Sequence, residues 1–256
     1  MTTATTAKSS TFAEPPAVRT AKRRARMLVR RAARSVRSRP AVPDWTLVSA
    51  GLSPILLVGA WLVADVRQPD TYSPVRQTIS VLAGHAGSDR WIVTGAVFLV
   101  GACHLLTALG LTAVRSSARV LLTVAGVAAI GIAASPEPVH GSTPQHLAWT
   151  ALGAVTIALW PAFVARRTPL RPPILSVRGS ATTTAIFVGL LGWVLIETRG
   201  GNTLGLAERL TTTVQITWPF IVALAARRSS GTVHGVLDAP AELSRDLHWN
   251  GVGGPG

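Results

Sequence analysis

Only 14% of the 256 residues are charged, and two long stretches, 120–134 and 147–165, contain no charged residue at all. A soluble domain carries about 25% charged residues, so an ordinary water-exposed fold is excluded. Cysteine is nearly absent: the single Cys103 sits within an apolar block, which excludes an intrachain disulfide and a cysteine-based zinc site. Acidic residues number 11 against 25 basic ones, and lysine is almost missing, with 23 arginines beside Lys8 and Lys22. That arginine bias goes with GC-rich coding and points to a bacterium. Polar–apolar alternation, the mark of a barrel strand, is missing from every apolar block.

What the chain does have is apolar length. Hydrophobic residues make up 48% of it, with a mean hydropathy of +0.38. They are gathered in blocks rather than stripes. A helix crosses a hydrocarbon core in about 20 residues, with a range of about 17–25. Six segments qualify: 45–64, 91–114, 119–135, 147–165, 179–197 and 209–226. Backbone groups left unpaired in lipid are costly, so each is expected to be a helix. The fold class read from the sequence is therefore all-α, a polytopic bundle of six transmembrane helices. Trp45, Trp61, Trp91, Trp149, Trp160 and Trp193 lie towards span ends, where an amphipathic ring favours the headgroup region.

Basic residues set the expected orientation. With the N-terminus inside, 20 Lys/Arg fall on inside segments and five, Arg67, Arg76, Arg90, Arg199 and Arg209, fall outside. By the positive-inside rule both termini face the cytoplasm of a plasma-membrane protein. The expected division is a cytoplasmic Arg-rich tail over 1–44, a six-span domain over 45–228 and a cytoplasmic tail without regular structure over 229–256. In the first tail, Val18, Ala21, Ala25, Leu28, Ala32 and Val36 recur at helical spacing. Arg23, Arg24, Arg26, Arg30, Arg31 and Arg34 could then lie on anionic inner-leaflet lipids, at about 1 kcal/mol each; the alternative is a flexible topology anchor. No aromatic or recognition module accompanies the charge, so nucleic acid is not an expected partner.

No Asp, Glu, Lys or Arg stands near a span centre, which argues against a charge-coupled transporter. His104 and Gln215 are read as bonded to neighbouring helices, and Ala125, Ala129 and Ala133 as a row for close helix packing. The loops expected outside are richer. In 65–90, Ser73 is a candidate N-cap, Pro74 a first helical residue and Gly84 a stop. The short interfacial helix between them would turn Val75, Ile79 and Leu82 to one side and Arg76 and Ser80 to the other. The same loop delivers His85 and Asp89. The second loop, "SPEPVHGSTPQH" (135–146), contributes Glu137, His140 and His146, and Asp65, Glu197 and Glu208 border the mouths of their spans.

"RQTISVLAGHAGSDRW" followed by a glycine-containing span, with "SPEPVHGSTPQHLAW" opening a later one, resembles the six-helix bacterial membrane family known as domain of unknown function 998. The resemblance covers roughly 45–228 and rests on Arg76-x-x-x-Ser80 in one loop and His146 in the other. It implies a six-span bundle and a membrane address, and carries no activity.

Two classes of function follow from the residues. In the first, the protein is non-catalytic: Arg76, Ser80, His85, Asp89, Glu137, His140 and His146 form a polar lid over the bundle, and no cofactor is needed. In the second it is a small membrane hydrolase or lipid-modifying enzyme. His85, His140 and His146 would then hold zinc with Asp89 or Glu137 nearby, or Ser80 would act as a nucleophile with a histidine base. A carrier without charged coupling sites is a third, weaker option.

Overall fold

Helix boundaries follow the proline and hydroxyl signals of the chain. The computed structural model describes residues 42–165 and 172–249 together with Met27, with side chains through Ser229. The arginine tail, including Arg23, Arg24, Arg26, Arg30, Arg31 and Arg34, lies outside the described residues, as do Arg166, Arg167 and Arg171. Among the described residues the elements are α1 (Asp44–Asp65), α2 (Ile79–Ala83), α3 (Trp91–Gly110), α4 (Ser116–Ala134), α5 (Pro144–Val164), a 3₁₀ turn (Pro173–Leu175), α6 (Val177–Glu197) and α7 (Leu204–Trp249), with no strand. Thr143 caps α5 by accepting the His146 N–H at 3.2 Å, with Pro144 at the first position, where a missing N–H costs nothing. Ser176 caps α6 in the same way through Gly179 N–H at 3.1 Å.

The described residues from Val42 to Thr232 form a first, compact unit. The helix α7 extends to Trp249, where no regular structure was expected; Ala241, Glu242, Leu243 and Leu247 are strong helix formers.

Among the described residues five helices, α1, α3, α4, α5 and α6, are long and apolar enough to cross a membrane. The sixth expected segment, 209–226, lies on α7 and is not among them. Arg209, Gln215 and the threonines 211–213 and 217 dilute its apolar content. Several of these polar groups are spent on the neighbouring helix: Thr211 Oγ1 donates to Leu190 O at 3.3 Å and Gln215 Nε2 to Phe187 O at 3.4 Å.

Within the first unit the helices form a ring. α1 packs on α3, α3 on α4, α4 on α5 and α5 on α6. The Thr211 and Gln215 bonds bring α7 to α6. Ile216 shares a buried cluster with Leu57 of α1, and Phe220 lies against Gly51, which closes the circle. Consecutive long helices run in opposite directions, so loops 66–90, 135–143 and 198–203 gather at one end. At the other end Val42, Leu111, Leu122, Trp160, Val164 and Val222 form the larger apolar cluster, and Arg119 donates to the open carbonyls of Ala108 (2.7 Å) and Leu109 (3.1 Å) at the end of α3.

Three expectations change. Trp160 is not a headgroup anchor: it is fully buried and its Nε1 donates to Ala118 O on α4 at 2.7 Å, because an indole inside a bundle needs an acceptor. The close approach of α3 and α4 is made by Gly101 and Gly126 rather than by the alanine row. A Cβ on Gly101 would stand 2.7 Å from Gly126 O, so only glycine allows that contact. Ala125 and Ala129 face a cavity.

The short helix also differs. It begins at Ile79, with Thr78 as its cap accepting from Val81 N–H at 3.3 Å. Ser73–Gln77 is a separate turn, closed by Gln77 N–H to Ser73 O at 2.8 Å. The carbonyls of Pro74 and Gln77 both accept from Arg209 Nη1, at 2.8 and 2.7 Å. Ile79 and Leu82 pack into the cluster with Leu57, Ala64 and Val93, so the apolar side faces the bundle.

Arg209, read in the sequence as a loop charge, is buried. Its Nη2 pairs with Asp65 at 2.9 Å and donates to the Tyr72 hydroxyl, Nη1 also reaches Gly205 O at 3.2 Å, and the guanidinium lies over the Trp61 ring. Tyr72 in turn donates to Asp65 at 2.8 Å. Removing one partner of such a pair leaves a buried charge uncompensated, which costs about 3–5 kcal/mol. Arg209→Ala should therefore lower the thermal midpoint of the detergent-purified protein strongly. Arg67→Ala, which breaks an exposed pair with Asp89, should change stability by at most about 1 kcal/mol. Equal effects in the two variants would show that the buried clasp contributes no more than a surface pair.

Candidate functional site

The caps on α2 and α5 aim two side chains at each other. The Thr143 cap and Pro144 place His146 in the first turn of α5, where it is buried. Its Nδ1 lies 2.7 Å from the carbonyl of Ser135, which can only accept, so Nδ1 carries a proton. Nε2 faces Ser80 Oγ on α2 at 3.2 Å and Glu137 Oε1 at 3.5 Å. The 135–146 loop is tied to the first loop a second time: Glu137 O accepts from His85 N–H at 2.8 Å and meets His85 Nδ1 at 3.0 Å. Gly84, which ends α2, lies under that strap; a Cβ there would come within 3.0 Å of Glu137 O.

Ser80, His85, Glu137 and His146 are thus brought together, and the other candidates are not. Arg76 is exposed on the Ser73–Gln77 turn. Asp89, at φ 52°, turns away to pair with Arg67 at 3.0 Å. His140 is exposed beside Gly141 at the crest of its loop. His85, His140 and His146 do not share a centre, and among the described residues no group of three His, Cys, Asp or Glu is arranged to hold a metal ion. The histidine set proposed for zinc does not fit one.

Beneath the strap lies an interhelical cavity of about 400 Å³, within the range of small-molecule sites. Ser80, Glu137, His146 and Glu208 stand at its loop end, while Leu57, Val97, Val100, Ala129, Ile157 and Leu191 are among the groups walling the rest. Eleven residues of α5 separate His146 from Ile157, about 16 Å along the helix axis, so the cavity is long for its volume.

Two residues not singled out as part of this cluster contribute to it. Glu208, in the first turns of α7 and ahead of the 209–226 segment, accepts the Ile79 N–H at 2.7 Å and so ties α7 to α2. Its neighbour Arg209 points into the clasp. His104, expected to bond a neighbouring helix, bonds its own: Nδ1 lies 2.9 Å from Val100 O, four residues back, and Nε2 has no partner. It lines the cavity from α3. No spacing in the sequence announces these contacts, which join positions more than 100 residues apart in one case and an unfilled space in the other.

Burial pushes the Glu208 carboxyl from 4.5 up to about 7; the Ile79 N–H and Arg209 pull it partly back, and Glu137 adds to the rise. Burial and the Asp65 hydrogen bond likewise raise the Tyr72 phenol, which stays neutral within the clasp. A carboxyl whose folded pKa is raised contributes stability that is complete below its unfolded value and lost as pH rises through the folded one. The thermal midpoint should therefore fall between about pH 4.5 and 7 by more in the wild type than in Glu208→Gln. Parallel profiles would mean that Glu208 ionises freely.

No curated protein and no solved structure matches the chain. Residues 52–225, most of the ring of helices and both strapped loops, match the family described as protein of unknown function (DUF998). The chain is an integral membrane protein belonging to the DUF998 family.

Proposed function

We propose that the protein is a non-catalytic receptacle in the bacterial plasma membrane, holding an apolar-chain ligand in its interhelical cavity beneath a polar lid. In this reading α7 supplies a sixth span, both termini are cytoplasmic and the strapped loops face outward. The 20-to-five division of basic residues supports that orientation, and the arginine tail would hold the inner leaflet through anionic lipids. The observation that carries the functional reading is the cavity: a long, mainly apolar space of about 400 Å³ with Ser80, Glu137, His146 and Glu208 at its loop end.

A second reading, the hydrolase, draws on the 3.2 Å approach of Ser80 Oγ to Nε2 of His146. The imidazole could take the hydroxyl proton during attack on an ester. Glu137 lies on the Nε2 side rather than behind Nδ1, where its charge would oppose an oxyanion forming at Ser80. That favours the receptacle.

Orientation is tested by labelling in intact cells. In a Cys103→Ala background, cysteines at Ser88 and Thr143 should react with an impermeant thiol reagent and one at Ser229 should not. The reverse pattern would invert the topology.

Binding is tested with an environment-sensitive fatty probe and the full-length protein in neutral detergent. Ala129→Phe, which fills the cavity, should weaken binding at least tenfold, whereas Ala148→Phe, on an exposed position of α5, should not. Equal binding by both variants would place the probe elsewhere. Turnover of a bound acyl ester by the wild type, abolished in Ser80→Ala, would replace the receptacle with the hydrolase.

A further inference from the structure

We infer that the ligand of this cavity is a single-chain amphiphile with a protonated amine head, seated at the loop end between Glu208 and Glu137. The inference rests on the receptacle reading and adds the chemistry of the head group.

Glu208 and Glu137 present carboxyl oxygens at the loop end of the wall, beside hydroxyls such as those of Thr78 and Ser80 that can donate or accept. His104 presents a lone pair further along, its proton committed to Val100 O, with an Nε2 that has no partner although the residue is only 4% exposed. Among the described residues no lysine or arginine lines the cavity. Arg209, next to Glu208 in sequence, turns both Nη groups to Asp65, Tyr72 and three carbonyls, and its Nε has no partner.

A buried acceptor without a donor is costly, and a carboxylate in a low-dielectric site seeks a cation. The occupant must therefore bring donors and positive charge. An ammonium brings three N–H donors and one charge. A phosphate or sulfate head brings acceptors and negative charge to a mouth that already holds two carboxylates, and is rejected on both counts. The shape limits the tail: about 400 Å³ drawn out over about 16 Å leaves a width suited to one hydrocarbon chain. The orphan nitrogen of His104, which lies along the chain rather than at the head, is met by a water or by a hydroxyl on the chain.

The test is competition against the fatty probe in neutral detergent at pH 8, with full-length protein and three ligands of one chain length: dodecylamine, dodecanol and dodecyl sulfate. Dodecylamine should displace the probe at least tenfold more effectively than dodecanol, and dodecyl sulfate should be the weakest. The double variant Glu137→Gln, Glu208→Gln keeps the Ile79 acceptor and should bring amine and alcohol within about threefold of each other, leaving dodecanol unchanged. Equal potency of amine and alcohol in the wild type would overturn the amine assignment and leave the receptacle standing. So would an amine preference that survives in a double variant of unaltered thermal midpoint. Failure of all three to compete would overturn the receptacle as well. Should the double variant not fold, the wild-type comparison alone decides.

Discussion

The loop end of the bundle depends on one buried guanidinium. Arg209 joins the end of α1 through Asp65, the first loop through Tyr72 and the carbonyls of Pro74 and Gln77, and its own helix through Gly205. Its fork shape matters: several donors in one plane can serve a carboxylate, a phenol and three carbonyls, which an ammonium cannot match. Two of those carbonyls come from the Ser73–Gln77 turn, so the clasp ties that turn down just ahead of α2, which the Thr78 cap starts at Ile79. The placement of Ser80 opposite His146 follows from that start.

The cavity results from where the helices approach and where they do not. Gly101 and Gly126 let α3 and α4 touch backbone to backbone. One turn away, Ala125 and Ala129 have too little volume to fill the centre of the ring, and Gly153 on α5 adds none. Leu122, Trp160 and Val222 pack in the larger apolar cluster, which shares Ala125 and Ile157 with the wall of the space. The lid is covalently modest: two hydrogen bonds from His85 to one carbonyl, one from His146 to Ser135, and the Ser80 contact.

Much of the bundle was legible because lipid imposes a length and a composition on each crossing. Five apolar blocks became helices of crossing length, and Gly84 marked a boundary that a helix respects. Part of the lid was legible for the same local reason: a proline-bound loop ending in a capped helix carries His146 to a helix mouth. Trp160, Arg209 and the alanine row were misread because a residue type has a typical environment, and each of these sits in the less typical one. An indole is usual at a headgroup and an arginine at a loop. Both are buried here because a partner from a distant helix satisfies them.

The sequence by itself determined that this chain is an all-α integral membrane protein, where its apolar helices lie, and that three of its six histidines and six of its 11 carboxylates fall in or beside the loops 65–90, 135–146 and 197–208. Periodicity, length and capping are local properties, and they reach only a few residues along the chain. The tertiary structure decided which of those polar residues meet. It chose Ser80, Glu137, His146 and Glu208 over Arg76, Asp89 and His140, buried Arg209, and left a space beside His104. Closing a ring of helices brings positions such as Ile79 and Glu208 together across 129 residues of chain, and nothing in the spacing of either could have announced the other.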